Sequence, residues 1–271
     1  MTDLSTPIFV ISFNRAKYLE RVIASYRRLS RPVDIVIHDN GSSEPETLAA
    51  LDAFERAGVT VVRRPAIAEA DELNGLDDTV QSYFRSHPWV PYVVTDCDVD
   101  LTTASSKTLD VFHELLARFP AAQCVGPMLR IADVRQSHPL FNRLMNRHVS
   151  QFWGREPEWT ATSFGRVAYI NARIDTTFAL HRPGEPFRRR KPGLRVYHPY
   201  EAEHLDWYLA ETSRDAYFYS SSPLISHWNN RAAQERHGAE ALAVDRYFVV
   251  AGGENGELMT RTVRPHLDNP L

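Results

Sequence analysis

The chain has 271 residues, of which 43% are hydrophobic and 24% charged, and its formal net charge is −3 at pH 7. This length fits one large α/β domain, and the slight negative charge argues against nonspecific nucleic-acid binding as the main task. No stretch approaches the roughly 20 apolar residues that span a bilayer. The first residues, MTDLSTP, lack a signal-peptide pattern, and Cys97 and Cys124 have no disulfide-framework or metal-knuckle spacing. We therefore expect a cytoplasmic, reduced protein.

The first hundred residues alternate between strand and helix patterns. Apolar runs predict strands, and apolar residues at helical spacing predict helices. The predicted elements, in chain order, are strand 8–13, helix 18–26, strand 33–38, helix 46–57, strand 59–62, helix 73–84 and strand 92–95. Strands and helices in alternation are typical of a mostly parallel sheet with helices on both faces.

Three aspartates follow the strand at 92–95. Asp96, Asp98 and Asp100 occupy every second position of PYVVTDCDVDL, and alternate residues of an extended chain share one face. Three carboxylates so close together repel one another unless a cation lies among them. Carboxylate oxygens suit Mg²⁺ or Mn²⁺ better than zinc. The pattern predicts a metal–phosphate site, and its simpler structural interpretation is one helix-capping aspartate with two that face water.

Polar residues also follow the first two strands. Asn14-Arg15 and Asp39-Asn40 lie at strand ends, and ligands of parallel α/β sheets bind beyond the carboxyl ends of the strands. No GxGxxG or GxxxxGK[ST] sequence follows either strand, so a metal held by carboxylates is the expected means of neutralising a diphosphate. Asp39 fits two compatible roles, accepting hydrogen bonds from a nucleobase or ribose and forming an Asp-Asn-Gly turn.

Four motifs in order resemble those of GT-A fold glycosyltransferases, in particular the family 2-like inverting enzymes and their bacterial capsule-polymer relatives. The motifs are ISFNR at 11–15, DIVIHDNGSS at 34–43, ELNG at 72–75 and TDCDVDL at 95–101. The resemblance implies a Rossmann-like, mostly parallel α/β sheet flanked by helices in a single domain. The expected parts of that domain are a nucleotide-sugar-binding half at 1–101, an acceptor-side half at 102–251 and a tail at 252–271.

The resemblance also implies an activity and its site residues. The expected reaction is inverting transfer of a hexosyl or N-acetylhexosaminyl group from a nucleotide-sugar, with UDP as the expected nucleotide, to a saccharide or lipid-linked acceptor in polysaccharide biosynthesis. The expected cofactor is Mn²⁺ or Mg²⁺, with Asp98 as the diphosphate-metal aspartate, Asp100 as an additional acid and His227 as a late histidine ligand. The residues expected to bind the donor are Ser12, Asn14, Arg15, Asp39, Asn40, Asn74, Asp96 and Arg190.

The second half is expected to build the acceptor side. Residues 137–162 predict an excursion with a short helix near 141–152. Residues 167–180 predict a strand that contains Asp175, and a carboxylate inside an apolar strand is costly unless it is paired, solvated or used. Asp175 therefore has two functional interpretations, binding a sugar hydroxyl or acting as general base. Its structural interpretation is a salt bridge to an arginine such as Arg173.

Residues 183–198 carry a basic run between prolines and glycines, made of Arg188, Arg189, Arg190, Lys191 and Arg195. Such a run is often only solvated. It also fits a mobile lid that meets the diphosphate or an anionic acceptor, or a contact with a membrane surface.

Residues 201–210 predict a helix with acids near its positive end. In the resembling family an acidic pair at this helix supplies the catalytic base, and here Glu203-His204 occupies that place with Asp206 two residues on. Glu203, Asp206 and Asp175 are the candidate bases. His204 is a candidate to donate to phosphate or to orient an acceptor.

Two other function classes remain open at this point. A sugar nucleotidyltransferase shares the sheet and the acidic site, but it usually carries a glycine-rich basic loop after the first strand, which ISFNRAKYLE lacks. A carbohydrate- or nucleotide-binding module explains the aromatic residues without needing three aligned aspartates. Metal-dependent hydrolysis of a donor separates an enzyme from such a module.

Overall fold

The computed structural model describes residues 5–65, 75–184, 187–208, 219, 228, 230–253 and 256–265. Its strands are β1 (Thr6–Ser12), β2 (Val33–Asp39), β3 (Thr60–Arg63), β4 (Tyr92–Asp96), β5 (Val99–Asp100), β6 (Cys124–Pro127), β7 (Glu158–Thr162), β8 (Gly165–Ile174), β9 (Ala179–His181), β10 (Lys191–Val196), β11 (Glu203–His204), β12 (Tyr247–Gly252) and β13 (Leu258–Val263). Its α-helices are α1 (Ala16–Tyr26), α2 (Pro45–Arg56), α3 (Leu76–Ser86), α4 (Thr108–Arg118), α5 (Phe141–His148) and α6 (Arg231–His237). A π-helical turn follows α5 at Val149–Trp153, and a 3-10 turn follows β11 at Leu205–Trp207.

Nine strands form the central sheet, in the order β3-β2-β1-β4-β9-β6-β10-β8-β7. Within it β8 and β9 run against the other strands, so the sheet is mostly parallel. Two short antiparallel pairs, β5 with β11 and β12 with β13, lie outside this sheet in the described part of the chain. The predicted α/β class is confirmed.

The central strands are buried on both faces, which explains why their sequences are nearly continuous apolar runs. Along β1, Ile8 and Val10 pack in the larger core cluster with residues of α1 and α4, whereas Phe9 packs on the opposite face with Leu76 and Val80 of α3. Alternate residues of a strand point to opposite faces, so β1, β2 and β4 contribute to both clusters.

Parallel pairing brings the carboxyl ends of three strands to one edge of the sheet. Ser12 at the end of β1 is in register with Asp39 of β2, and Ile11 is in register with Asp96 of β4. The polar residues that follow these strands therefore lie side by side, as expected for a parallel α/β sheet.

The predicted strand at 167–180 is wrong as a single element. β8 ends at Ile174 and β9 begins at Ala179, because β8 pairs with β7 and β10 while β9 pairs with β4 and β6. The chain must leave one set of neighbours to reach the other, and Phe178 adopts a positive φ of 51° in the connection. Asp175 consequently lies in a loop and not inside a strand.

The predicted helix at 201–210 is also wrong over its described residues. Ala202 bridges to Leu129, Glu203-His204 pairs with β5, and one 3-10 turn follows. Backbone hydrogen bonds to distant segments replace the local ones, so tertiary pairing overrides the helical preference of the sequence.

The excursion at 137–162 contains the expected short helix, α5, and ends in strand β7. Among the described residues, no helix combines the length and the apolar character needed to cross a bilayer.

Candidate functional site

The aspartate run does not continue as an extended strand. β4 ends at Asp96, the chain turns through Cys97 and Asp98, and β5 follows. The turn is fixed from a distant segment, because the Leu205 N–H donates to the Asp98 carbonyl oxygen at 2.8 Å. The prediction that Asp96, Asp98 and Asp100 share one face is therefore wrong, and each carboxylate has different partners.

Asp98 lies in a buried group of charged side chains. Antiparallel pairing of β11 with β5 brings His204 and Asp206 to it, and one ligand atom from each of the three residues lies within 4.8 Å of the others. The Arg15 guanidinium donates to Asp98 Oδ2 at 3.1 Å and to Asp206 Oδ1. The His204 ring is stacked on Trp207, with centroids 4.8 Å apart, and its Nε2 lies 3.8 Å from Asp98 Oδ2.

The surroundings of Asp98 disfavour an uncompensated negative charge. The residue is 5% exposed, and burial raises its carboxyl pKa above the ordinary value, as does Asp206, while His204 and Arg15 act in the opposite direction. Its Oδ1 atom is buried and has no hydrogen-bond partner among the described residues. A buried acceptor of this kind costs free energy unless a cation or a donor occupies its free side.

Asp96 is half-buried beside this group. Its carboxylate accepts a hydrogen bond from Thr176 Oγ1 at 2.5 Å. Burial, followed by the nearby Asp98 charge, raises the pKa of Asp96 to about 8. The raised pKa favours the protonated form of Asp96, which can donate as well as accept a hydrogen bond.

Asp100 and Glu203 lie on the other side of the β5–β11 pair and hold ion pairs. Arg21 donates to Asp100 Oδ2 at 2.7 Å and to Glu203 Oε2 at 3.3 Å. Asp100 also accepts from the Thr102 backbone and hydroxyl, and Glu203 lies 3.7 Å from an Arg130 nitrogen. The alternating spacing predicted that Asp100 lies at the metal site with Asp98. In the structure, the group of possible metal ligands around Asp98 does not include Asp100.

Two of the residues expected to bind nucleotide shape the loops at the strand ends. Asn14, with a φ of 50°, accepts from the Ser43 and Glu44 N–H groups and so orients the start of α2. The Asp39 carboxylate accepts from the Gly41 and Ser42 N–H groups and from the Ser42 hydroxyl. The turn-forming role of Asp39 is therefore present in the structure.

Ser12 and Asn40 differ from these two residues. Both are buried, and neither Ser12 Oγ nor Asn40 Oδ1 has a hydrogen-bond partner within the described ranges. They lie at the ends of neighbouring strands, on the edge that carries Asp96. Two orphaned polar atoms at this edge offer hydrogen bonds to a ligand.

Asp175 pairs with Arg195, and not with the Arg173 side chain that sequence proximity indicated. Its Oδ1 lies 3.7 Å from the Arg195 guanidinium, and its side chain is 33% exposed. Arg195 is buried, donates to the Arg173 and Pro127 carbonyl oxygens, and lies 4.3 Å from the centroid of the Phe152 ring. Asp175 is therefore supported on one side and open to solvent on the other.

The basic run is divided between the sheet and the segment that precedes it. Lys191 and Arg195 belong to β10 and are buried, so these two residues are neither solvated nor part of a mobile lid. Arg188 and Arg190 precede the strand and are exposed. Two further predicted site residues, Asn74 and His227, lie outside the described residues.

The grouping of Asp98 with His204 and Asp206 was not predicted from the sequence, which indicated Asp206 as a candidate base and His204 as a residue that donates to phosphate or orients an acceptor. The only local signal is the alternating His-Leu-Asp spacing at 204–206, which repeats the spacing of Asp96 and Asp98. The two spacings belong to one site only because β5 pairs with β11 in the folded chain.

A family model, described as glycosyl transferase family 2, matches residues 8–67. This is less than a quarter of the chain and includes β1, β2, β3 and the loops with Ser12, Asn14, Asp39 and Asn40. The resemblance of the amino-terminal part to these glycosyltransferases is thereby confirmed. No curated protein matches the chain.

Several solved structures resemble parts of the chain. Mannosyltransferase PcManGT from Pyrobaculum calidifontis, in complex with GDP-Man and Mn²⁺, is 18% identical, with 47% of this chain and 36% of that chain covered and a TM-score of 0.37. TarS 1-349 from S. aureus is 13% identical, with 66% and 47% covered and a TM-score of 0.40. Its complex with UDP-GlcNAc is 14% identical, with 47% and 35% covered and a TM-score of 0.35. The match spans less than half the length of each of these chains.

Proposed function

We propose that this protein is a divalent-metal-dependent glycosyltransferase that moves a hexosyl or N-acetylhexosaminyl group from a nucleotide-sugar to a hydroxyl of a saccharide or lipid-linked acceptor. The observation that carries the proposal is the convergence of Asp98, His204 and Asp206 at the sheet edge that also presents Ser12 and Asn40. The family match over residues 8–67 supports the same reaction class. UDP is our first candidate for the nucleotide.

The described residues fit a divalent cation. Asp98 supplies a buried, orphaned carboxylate oxygen, and Asp206 and His204 each place a ligand atom within 4.8 Å. Two carboxylates with one imidazole suit Mn²⁺ well and also accept Mg²⁺. When bound, such an ion supplies Lewis-acid charge that stabilises the departing nucleotide diphosphate.

The donor's nucleoside is proposed to lie against the ends of β1 and β2. Ser12 Oγ and Asn40 Oδ1 supply hydrogen bonds there, while Asp39 and Asn14 keep the two loops in place. The raised pKa of Asp96 favours its protonated form, which is suited to share a hydrogen bond with a ribose or sugar hydroxyl.

We assign the general base to Asp175. Asp206 is paired with Arg15 and Glu203 with Arg21, and His204 belongs to the proposed metal group. Asp175 is the candidate whose carboxylate reaches solvent, at 33% exposure, and its loop contacts Asp96 through Thr176. A carboxylate in this place would take the proton from an acceptor hydroxyl as it attacks the anomeric carbon, which predicts inversion.

The overall organisation is part of the proposal. Residues 1–271 are taken as one domain, with the donor side built by 1–101, the acceptor side by 102–251 and a tail from 252. The exposed Arg188 and Arg190 suit a peripheral contact between a cytoplasmic protein and the anionic surface that carries a lipid-linked acceptor. Cosedimentation with anionic vesicles tests this, and binding unchanged in an Arg188→Gln/Arg190→Gln variant would contradict it.

The function is tested by a thermal-shift panel of UDP, GDP, CMP and dTDP, each with Mn²⁺ or with EDTA. A ligand that binds only the folded state raises the melting temperature by mass action. We expect one nucleoside diphosphate to stabilise the protein with Mn²⁺ and to lose this effect in EDTA. The matching nucleotide-sugar should then be consumed only when an acceptor is present. Absence of any shift across the panel with Mn²⁺ contradicts the proposal.

A further inference from the structure

Arg15 occupies an unusual position at the candidate metal group. It is the residue immediately before α1, and its guanidinium is shared between Asp98, from the turn after β4, and Asp206, from the turn after β11. The guanidinium carbon also lies 4.4 Å from the centroid of the Tyr18 ring. Three contacts from three parts of the chain therefore fix this one cation.

The charges in this group are almost completely shielded from water. Arg15 is 9% exposed, Asp98 is 5% exposed and Asp206 is not exposed. The two terminal nitrogens of Arg15 each donate to one oxygen of one carboxylate, and the second Asp98 oxygen stays without a partner in the described structure. An incoming divalent ion would thus find acceptor oxygens next to a fixed positive charge.

We propose that Arg15 is the resident cation of this site, holding Asp98 and Asp206 together and opposing the binding of a free divalent ion until a nucleotide diphosphate arrives with it. The inference rests on the proposed function, and it assigns Arg15 a role in metal selectivity beyond the contact with nucleotide that the sequence indicated. Its consequence is an order of binding, in which metal and diphosphate enter together.

The physical reason is the sum of nearby charges. The guanidinium offsets about one of the two negative charges that Asp98 and Asp206 offer a divalent ion, and in a buried site each additional unit charge a few ångströms away changes affinity strongly. A diphosphate bound to the same ion adds negative charge and restores the attraction. Removing Arg15 should therefore strengthen the binding of the metal ion alone more than it strengthens the binding of the metal ion together with nucleotide.

The decisive experiment measures Mn²⁺ binding by electron paramagnetic resonance, with and without UDP or GDP. The proteins are the wild type, Arg15→Gln and Arg21→Gln. Arg21 is the matched control, because it lies on α1, the helix that begins directly after Arg15, and pairs with two carboxylates, Asp100 and Glu203, outside the metal group.

We expect Arg15→Gln to bind free Mn²⁺ about tenfold more tightly than the wild type and to gain less from added nucleotide. Arg21→Gln should behave as the wild type. Equal or weaker binding of free Mn²⁺ by Arg15→Gln overturns the role of Arg15 while leaving the metal site in place. Failure of every protein to bind Mn²⁺, even with either nucleotide, removes the metal site itself and the proposed function with it.

A second measurement does not depend on the folding of Arg15→Gln. The side-chain NMR resonance of Arg15, assigned by its loss in Arg15→Lys, should move when Mg²⁺ and nucleotide are added together to the wild type. It should stay in place with Mg²⁺ alone. Movement with Mg²⁺ alone means that the guanidinium yields to the free ion, which contradicts the proposal.

Discussion

Asp98 and Asp100 are two residues apart in the sequence and have opposite surroundings in the structure. Asp98 has an oxygen without a partner in the described chain and lies next to a second carboxylate, whereas Asp100 is saturated by Arg21 and Thr102. A buried charge that is fully hydrogen-bonded serves the fold, and one that is partly unsatisfied is available to a ligand. The two residues therefore make a matched pair for testing the site.

Asp98→Asn should remain folded but lose Mn²⁺-dependent stabilisation by nucleotide, with transfer at least about a hundredfold slower, because a proposed metal ligand is removed. Asp100→Asn should retain nucleotide-dependent stabilisation and lose roughly 1–3 kcal/mol of unfolding free energy, because it weakens the partly buried hydrogen bond that Arg21 donates to the Asp100 carboxylate. Thermal shift and urea unfolding measure the two effects. The reverse pattern would move the metal site to Asp100.

Asp175→Asn tests the assignment of the base. The loss of a general base lowers kcat by about 10²- to 10⁴-fold. The KM for the donor and the Mn²⁺-dependent thermal shift should change little, because Asp175 lies outside the proposed metal group. Glu203→Gln is the comparison variant, since its carboxylate is held by Arg21 and Arg130. A large kcat loss in Glu203→Gln with none in Asp175→Asn would transfer the role to Glu203.

Glu201 supplies a prediction about pH. Its carboxylate is buried and accepts from the His198 N–H at 3.0 Å, and burial raises its pKa to about 7, an effect that His198 and Arg130 reduce and Asp133 increases. A raised carboxyl pKa means that folding favours the protonated form. The stability contribution is full below about pH 4.5 and is lost as the pH rises through about 7.

Glu201→Gln keeps a side-chain oxygen acceptor and cannot ionise. It should therefore be more stable than the wild type by at most roughly 3 kcal/mol above pH 7 and should match it near pH 4. Urea unfolding of both proteins across this range measures the difference. A constant difference at all pH values would show that Glu201 does not titrate in this window.

At the scale of elements, short strands decide where the site forms. β5 and β11 have two residues each, yet their pairing brings the Asp98 turn together with His204 and Asp206. β9 has three residues and lies between β4 and β6, which places the Asp175 loop beside Asp96. Each short pairing joins segments distant in sequence, so sequence periodicity carries little information about it.

The contact of β6 with β10 gives a prediction at this scale. A Cβ atom on Gly193 would lie 2.5 Å from the Cys124 carbonyl oxygen and 2.9 Å from Ile174 Cδ1, so the sheet backbone would have to move. Gly193→Ala should cost about 1–3 kcal/mol of unfolding free energy through overpacking.

The control for Gly193→Ala is Gly252→Ala in β12, where a Cβ meets no atom within 4 Å. It should change the unfolding free energy by about 0.5 kcal/mol or less. Equal effects of the two substitutions in urea unfolding would show that the tight β6–β10 contact is not the cause.

At the scale of the whole molecule, the candidate site combines parts that are nearly 200 residues apart. Arg15, Asp98 and Asp206 come from the start of α1, the turn after β4 and the turn after β11. The parallel arrangement of β1, β2 and β4 sends their connections to one edge, where both proposed substrates would meet.

The proposed mechanism predicts the stereochemistry of the product. Direct attack by an acceptor hydroxyl, with Asp175 on one side of the sugar and the diphosphate on the other, inverts the anomeric configuration. Proton NMR of the product formed from a donor of known configuration measures this. Retention at the anomeric carbon would exclude the single-displacement mechanism.

Much of the amino-terminal half follows from sequence. The strands at 8–13, 33–38 and 59–62 and the helix at 46–57 correspond within two residues to β1, β2, β3 and α2. These elements have strong local periodicity and buried faces, and their polar ends lie side by side at one edge of the sheet, as the parallel pattern predicted. The predictions at 167–180 and 201–210 failed because backbone pairing with distant strands determines those segments.

The sequence by itself determined the fold class, the edge of the sheet where polar strand ends gather, and the abundance of carboxylates there, because periodicity and strand-end composition are local properties. The tertiary structure alone decided which of these carboxylates lie together. Asp98 joins His204 and Asp206 around Arg15, while Asp100 goes to Arg21, because the chain turns at Cys97-Asp98 and β5 pairs with β11. The positions of charges in space, and thus their energies, depend on long-range pairing that no local pattern encodes.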